Sequence, residues 1–147
     1  MDADIELVLA AVDSSDEAVE AAEYAIAIAE HDDADLHLLH ILDQRVMRGV
    51  ETGDVSAETV AEQQRAVTGR VRERLPDSVT LTHSGALGFS TTRLGQTPGS
   101  VVLDAAEELD ADFLVVPRVN ASGATDEVLG KAALHVLEYA SQPVLSV

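Results

Sequence analysis

Few residues in this chain have the type and spacing to do chemistry. Asp13-Ser14-Ser15 follows an apolar run, and its side-chain oxygens suit the capping of a helix that starts there. Gly130 permits close packing where a helix begins. Lys131, the sole lysine, reads as a solvated charge. His37 and His40 are an odd number of residues apart, so on a strand they point to opposite faces and cannot share a metal. His40 reads as a packed, hydrogen-bonded core residue. Ser, His and Asp are all present, but no Gly-x-Ser-x-Gly elbow occurs. The sequence therefore names no converging acid, base and nucleophile, and the chain reads as a non-enzyme. The acidic pairs lack the regular spacing of a calcium loop. Cysteine is absent, which removes disulfides, thiol catalysis and zinc-thiolate sites.

The elements that would position these groups follow from periodicity. Ile5 to Val12 is a nearly continuous apolar run, the pattern of a central parallel strand buried on both faces. Ser14 with Glu17 reads as a capping box. Ala18, Ala21, Ala22, Ala25, Ile28 and Ala29 then form one helical stripe. Leu36 to Leu42 reads as a second strand and Asp43 to Val55 as a loop. A helix is expected over Ser56 to Leu75, with Val60, Val67 and Val71 on one side. Val79 to His83 starts a third strand. Ser84 to Gly95 fits an extended strand, a hairpin or a mobile loop. Thr97-Pro98 reads as an N-cap and first helical residue, followed by a buried stripe of Val101, Val102, Ala105 and Leu109. Asp110-Ala111-Asp112 repeats the Asp33-Ala34-Asp35 connection. Phe113 to Val116 is the fourth strand and Arg118 to Thr125 a small-residue loop. A last helix spans Gly130 to Ala140, with Ala133, Val136, Leu137 and Ala140 inward. Val144 to Val147 is the final strand. The order βαβαβαβαβ predicts an α/β fold: a doubly wound, five-stranded parallel sheet in three α/β/α layers, Rossmann-like. Ligands in such folds sit at the carboxyl ends of the strands, where the strand order reverses. That crevice would hold Asp13 and Pro117.

Composition narrows the partners. The 147 residues fit a single domain over 1–147. Acidic residues number 27 against 9 basic ones, a net charge of −18. Such a surface is a poor partner for nucleic acid or an anionic membrane. A basic protein partner or life in concentrated salt remains. The acidic residues are spread along the chain, which favours salt, where the Debye length shrinks to about 3 Å near 1 M. In this the composition resembles proteins of halophilic archaea. No basic, apolar leader and no spanning apolar stretch is evident, so the expected location is the cytoplasm.

Two segments carry a family resemblance. Ala11-Val12-Asp13-Ser14-Ser15 with Leu38-Leu39-His40-Ile41-Leu42-Asp43 is one; Leu114-Val115-Val116 through Pro143-Val144-Leu145-Ser146-Val147 is the other. Together they resemble the start and end of universal stress proteins, with a matching element order along the chain. The resemblance implies an adenine nucleotide alpha hydrolase-like fold. In the ATP-binding branch, the aspartate after the first strand holds adenine or ribose. The residue after the second-strand histidine contacts adenine through its backbone. A Gly-x-x-Gly loop, followed after a spacer by Gly and a hydroxyl residue, holds phosphate. Asp13 and Ile41 match the first two roles, and Gly130 matches the last glycine. Pro117 and Asn120 stand where glycines belong, and Lys131 replaces the hydroxyl residue. The implied contact set is Ala11, Val12, Asp13, Ile41, Val116, Pro117, Asn120, Gly130, Lys131 and Ala132.

Proline lacks the N–H and the freedom that a phosphate loop uses. Asn120 tolerates left-handed geometry better. Lys131 still brings a positive charge to a helix N-terminus. These departures place the chain nearer the branch without tight ATP binding: a stress-response module with no cofactor and no chemistry of its own. ATP or AMP with magnesium, with slow hydrolysis, is the alternative. In the family the final strand pairs with its copy, so Val144-Leu145-Ser146-Val147 implies a homodimer; burial of this strand under its own helix and loop is the other reading. A further protein partner is left unspecified.

Overall fold

The computed structural model describes residues 4–13, 16–42, 49–54, 56–87, 98–117 and 136–147. Five strands carry the frame: β1 (Leu7–Val12), β2 (Asp35–Leu42), β3 (Leu81–Leu87), β4 (Phe113–Val116) and β5 (Val144–Ser146). Between them lie α1 (Asp16–Asp32), α2 (Ala57–Glu73) and α3 (Pro98–Glu108). The sheet order is β3-β2-β1-β4-β5 and every pairing is parallel. The chain moves outward from β1 to β3, then returns to place β4 on the other side of β1. The order thus reverses between β1 and β4, as a doubly wound sheet requires.

Strand alternation splits the core into two layers. Val8, Ala10, Val12, Leu36, Leu38 and Val115 pack on one face with the alanine stripe of α1 and with Val67 and Val71 of α2. Leu9, Ala11, Leu39, Ile41, Leu114 and Val116 pack on the other with Val101, Val102 and Ala106 of α3 and with Val136. The small side chains of α1 let it lie close against the sheet. Ser56 caps α2 by accepting the Thr59 N–H at 3.0 Å.

The two Asp-Ala-Asp connections are built alike. Asp33 (φ 55°) and Asp110 (φ 54°) are left-handed, each just past a helix end. The next N–H closes back on the helix: Ala34 to the Ala29 carbonyl at 2.8 Å, Ala111 to the Ala106 carbonyl at 2.9 Å. This is the Schellman closure, with aspartate where glycine is usual. The third residue begins the ladder, Asp35 N–H bonding the Glu6 carbonyl and Asp112 N–H the Leu7 carbonyl, both at 2.9 Å. The Asp112 carboxylate also accepts the N–H groups of Glu6 and Leu7, at 2.9 and 3.1 Å.

Several boundaries differ from the sequence reading. Residues 49–52, read as loop, form a helical turn, and Gly53 leaves it at φ 84°. β3 begins at Leu81 and continues through Ser84 and Gly85 to Leu87. Leu109, expected in the buried stripe, lies beyond the end of α3 and is 40% exposed; Ala106 fills the core position. Leu137 is 49% exposed, because Val136 takes the inward position of that turn. The Ser14–Glu17 box, Thr97, Ala133, residues 88–95 and the loop 118–125 lie outside the described residues or side chains.

Candidate functional site

β1 and β4 are neighbours in register, with Val8, Leu9 and Ala10 opposite Phe113, Leu114 and Val115. Their carboxyl ends therefore rise side by side, and Asp13 and Pro117 follow them directly. Ala11, Val12, Ile41 and Val116 are at most 3% exposed. These side chains are closed to solvent, so contact with a ligand at the strand ends would come from backbone groups. Asp13 is half-buried at the rim and carries an interaction of its own. Ile41, the penultimate residue of β2, lies on the same face as Ala11 and Val116. Pro117 is buried. Leu114 N–H and the Val116 carbonyl bond β5, so by strand alternation residue 117 faces β1. Proline offers no N–H there, and the β1–β4 ladder stops. The structure thus brings Asp13 and Pro117 to adjacent strand ends, with Ile41 on the same face as Ala11 and Val116, and residue 117 has no N–H to offer there. Asn120, Gly130, Lys131 and Ala132 lie outside the described residues.

A second polar group lies on β2 and β3. His37 and His40 point to opposite faces. His40 bonds Thr68 of α2 through Nε2 at 3.0 Å, and its ring meets that of His83 edge-on, with centroids 5.8 Å apart. Burial, then the positive charge that His83 and His37 would bring, pulls the His40 pKa down to about 4. His40 is therefore neutral at physiological pH and serves packing. His37 lies on the other face with both ring nitrogens engaged: Nδ1 with Thr82 Oγ1 at 2.7 Å and Nε2 with Ser84 Oγ at 2.8 Å. Its pKa is also lowered, first by burial and then by His83. The sequence reading missed this Ser–His–Thr grouping. Thr82-x-Ser84 was its only local signal, and the strand register that brings it to His37 is not visible in one segment. Among the described residues, no cluster of three or more His, Cys, Asp or Glu is placed to hold a metal, and no helix is long and apolar enough to cross a membrane.

The universal stress protein family model matches residues 5–147. A universal stress protein of Methanocaldococcus jannaschii is 25% identical over 138 residues, covering 92% of this chain and 77% of that protein. Among solved structures, the universal stress protein UspA from Lactobacillus plantarum superposes with a TM-score of 0.71 at 21% identity, covering 99% of each chain. A universal stress protein solved in complex with cAMP gives a TM-score of 0.68 at 21% identity, covering 97% of this chain and 96% of that one. The chain belongs to the universal stress protein family.

Proposed function

We propose that this universal stress protein acts as a single-domain binding or signalling module of the cytoplasm, without catalysis at its crevice and with weak or absent nucleotide binding. Pro117 carries the reading. At the switch point a phosphate loop would present backbone N–H groups at close range, and proline has none to present. Asn120 and Lys131 weaken the same loop in sequence. The dispersed negative charge supports work in concentrated salt. Val144–Ser146 is the outermost of the described strands on its side of the sheet. Ser146 Oγ is buried with no hydrogen-bond partner among the described residues, and Leu137 and Tyr139 in the preceding turn are exposed. An edge strand with apolar residues beside it supports a homodimer through β5.

The second reading is an ATP- or AMP-binding protein with a modified phosphate loop. Asp13 and Ile41 at the strand ends favour it, as does the cAMP held by a protein of the same fold. Native purification in high potassium chloride, followed by mass spectrometry of released small molecules, separates the two. The proposal expects no stoichiometric nucleotide and no thermal shift with ATP and magnesium. Near one ATP or AMP per chain rejects it.

A further inference from the structure

The edge of the sheet opposite β5 holds the arrangement that the sequence failed to name. His37 is 7% exposed, set in β2 opposite Thr82 of β3. Thr82 and Ser84 project from the same face of β3, two residues apart, and their hydroxyls hold the ring at both ends, at 2.7 and 2.8 Å. Ser84 itself is exposed. The hydroxyl of an exposed residue thus bonds, in a part-buried contact, an imidazole that is buried and oriented on its far side. That is the relation of nucleophile, base and positioning group.

The backbone adds one more element. β3 is the outermost of the described strands on this side. Leu36 N–H bonds the Thr80 carbonyl, so the even-numbered residues of β3 face β2 and the odd-numbered ones face outward. The Gly85 N–H therefore points away from β2, beside Ser84. A donor on the residue after a nucleophile is where charge on an attacked carbonyl oxygen would be met.

We propose that Ser84, with His37 as base and Thr82 as positioning residue, forms a reactive serine site for activated carboxylic esters, separate from the β1–β4 crevice. In the productive tautomer His37 Nδ1–H donates to Thr82 and Nε2 accepts the Ser84 proton. Ser84 Oγ bonds the acyl carbon as its proton passes to Nε2, and the oxyanion faces the Gly85 N–H. Collapse expels the alcohol portion of the ester, which takes the proton from Nε2. Water then attacks acyl-Ser84 by the same relay, releasing the acid and restoring the serine. The depressed basicity of His37 keeps the ring neutral near pH 7, the form the relay needs.

The absence of cysteine provides a clean test. The full chain is treated with a fluorophosphonate probe and modification is mapped by mass spectrometry, with Ser78, an exposed serine, as internal reference. Ser84 is expected to react at least about tenfold faster than Ser78, and the fast labelling disappears in Ser84→Ala. Thr82→Val slows it, Thr82→Ser restores it, and Thr82→Asp, which fixes the productive tautomer, accelerates it. Ser84→Cys and Ser78→Cys each create a unique thiol. Alkylation of the first is expected at least about tenfold faster at pH 7, with its pH profile displaced to lower pH. Labelling of Ser84 no faster than Ser78, or equal alkylation of the two thiols, overturns the proposal and leaves His37 a packed, satisfied side chain.

Discussion

The centre of the sheet and its β2–β3 side make opposite use of the same strand geometry. β1 and β4 are buried on both faces, and nearly every side chain they carry is aliphatic. Their contribution is shape: two adjacent strand ends that hold Asp13 and Pro117 together. Among the described strands β3 has a neighbour on one side only, and its described residues are mostly exposed. There polar residues accumulate, and Thr82 and Ser84 satisfy His37 of β2. The contrast shows how labour divides in a doubly wound sheet. Buried strands fix where a site lies, but the residues after them decide whether it binds. Outer strands can carry side-chain chemistry directly, because they need not be apolar.

The largest expected effect lies at the centre. Leu114 is fully buried between β1 and β5. Leu114→Ala should cost about 3 kcal/mol, a drop in Tm of roughly 10 °C, through lost transfer energy and a cavity. Leu81→Ala, on partly buried β3, should cost about 1 kcal/mol. Equal losses in calorimetric melts would erase the distinction between centre and edge.

The next effect belongs to the β2–β3 side and depends on pH. His40 has a folded pKa of about 4, below the ordinary 6.5. The unfolded chain therefore takes up the proton first. The stability tied to neutral His40 is fully present above pH 6.5, declines as pH falls toward 4, and is lost below that. The loss amounts to roughly 3 kcal/mol at its limit. Carboxylate titration overlaps this window, so the comparison is with His40→Gln, which retains a donor for Thr68. Urea melts from pH 7 to 4.5 should show a flatter decline in the variant; parallel curves would mean that His40 does not govern acid sensitivity.

The smallest effect tests the paired connections. Asp110 holds a left-handed backbone at the end of α3 and places a negative charge near the helix carboxyl end. Asp110→Gly relieves both and should stabilise by about 0.5–1 kcal/mol. A lower Tm would show that the aspartate makes a contact worth more than its strain.

This contrast also explains what the sequence disclosed. β1 and Phe113–Val116 were legible because a strand buried on both faces needs an unbroken aliphatic run. The α1 stripe was legible because alanine at helical spacing has few other uses. β3 beyond His83 was not, since an outer strand carrying threonine, histidine, serine and glycine has no apolar alternation to betray it. Leu109 and Leu137 misled for the opposite reason: Leu109 continued an apolar stripe past the end of α3, and Leu137 sits beside Val136, which takes the inward position of its turn. At the site, Asp13 and Pro117 could be set together from element order alone. The Ser84–His37 bond joins residues 47 apart and depends on register, which no local pattern encodes.

In the proposed function, Pro117 and its loop, rather than the buried strand ends, set nucleotide affinity. The direct measurement is calorimetric titration of ATP with magnesium, in high potassium chloride, into the native chain and into Pro117→Gly/Asn120→Gly/Lys131→Ser. Weak or undetectable binding to the native chain, with at least about tenfold tighter binding to the variant, is the predicted result. Equal and tight binding to both would contradict it.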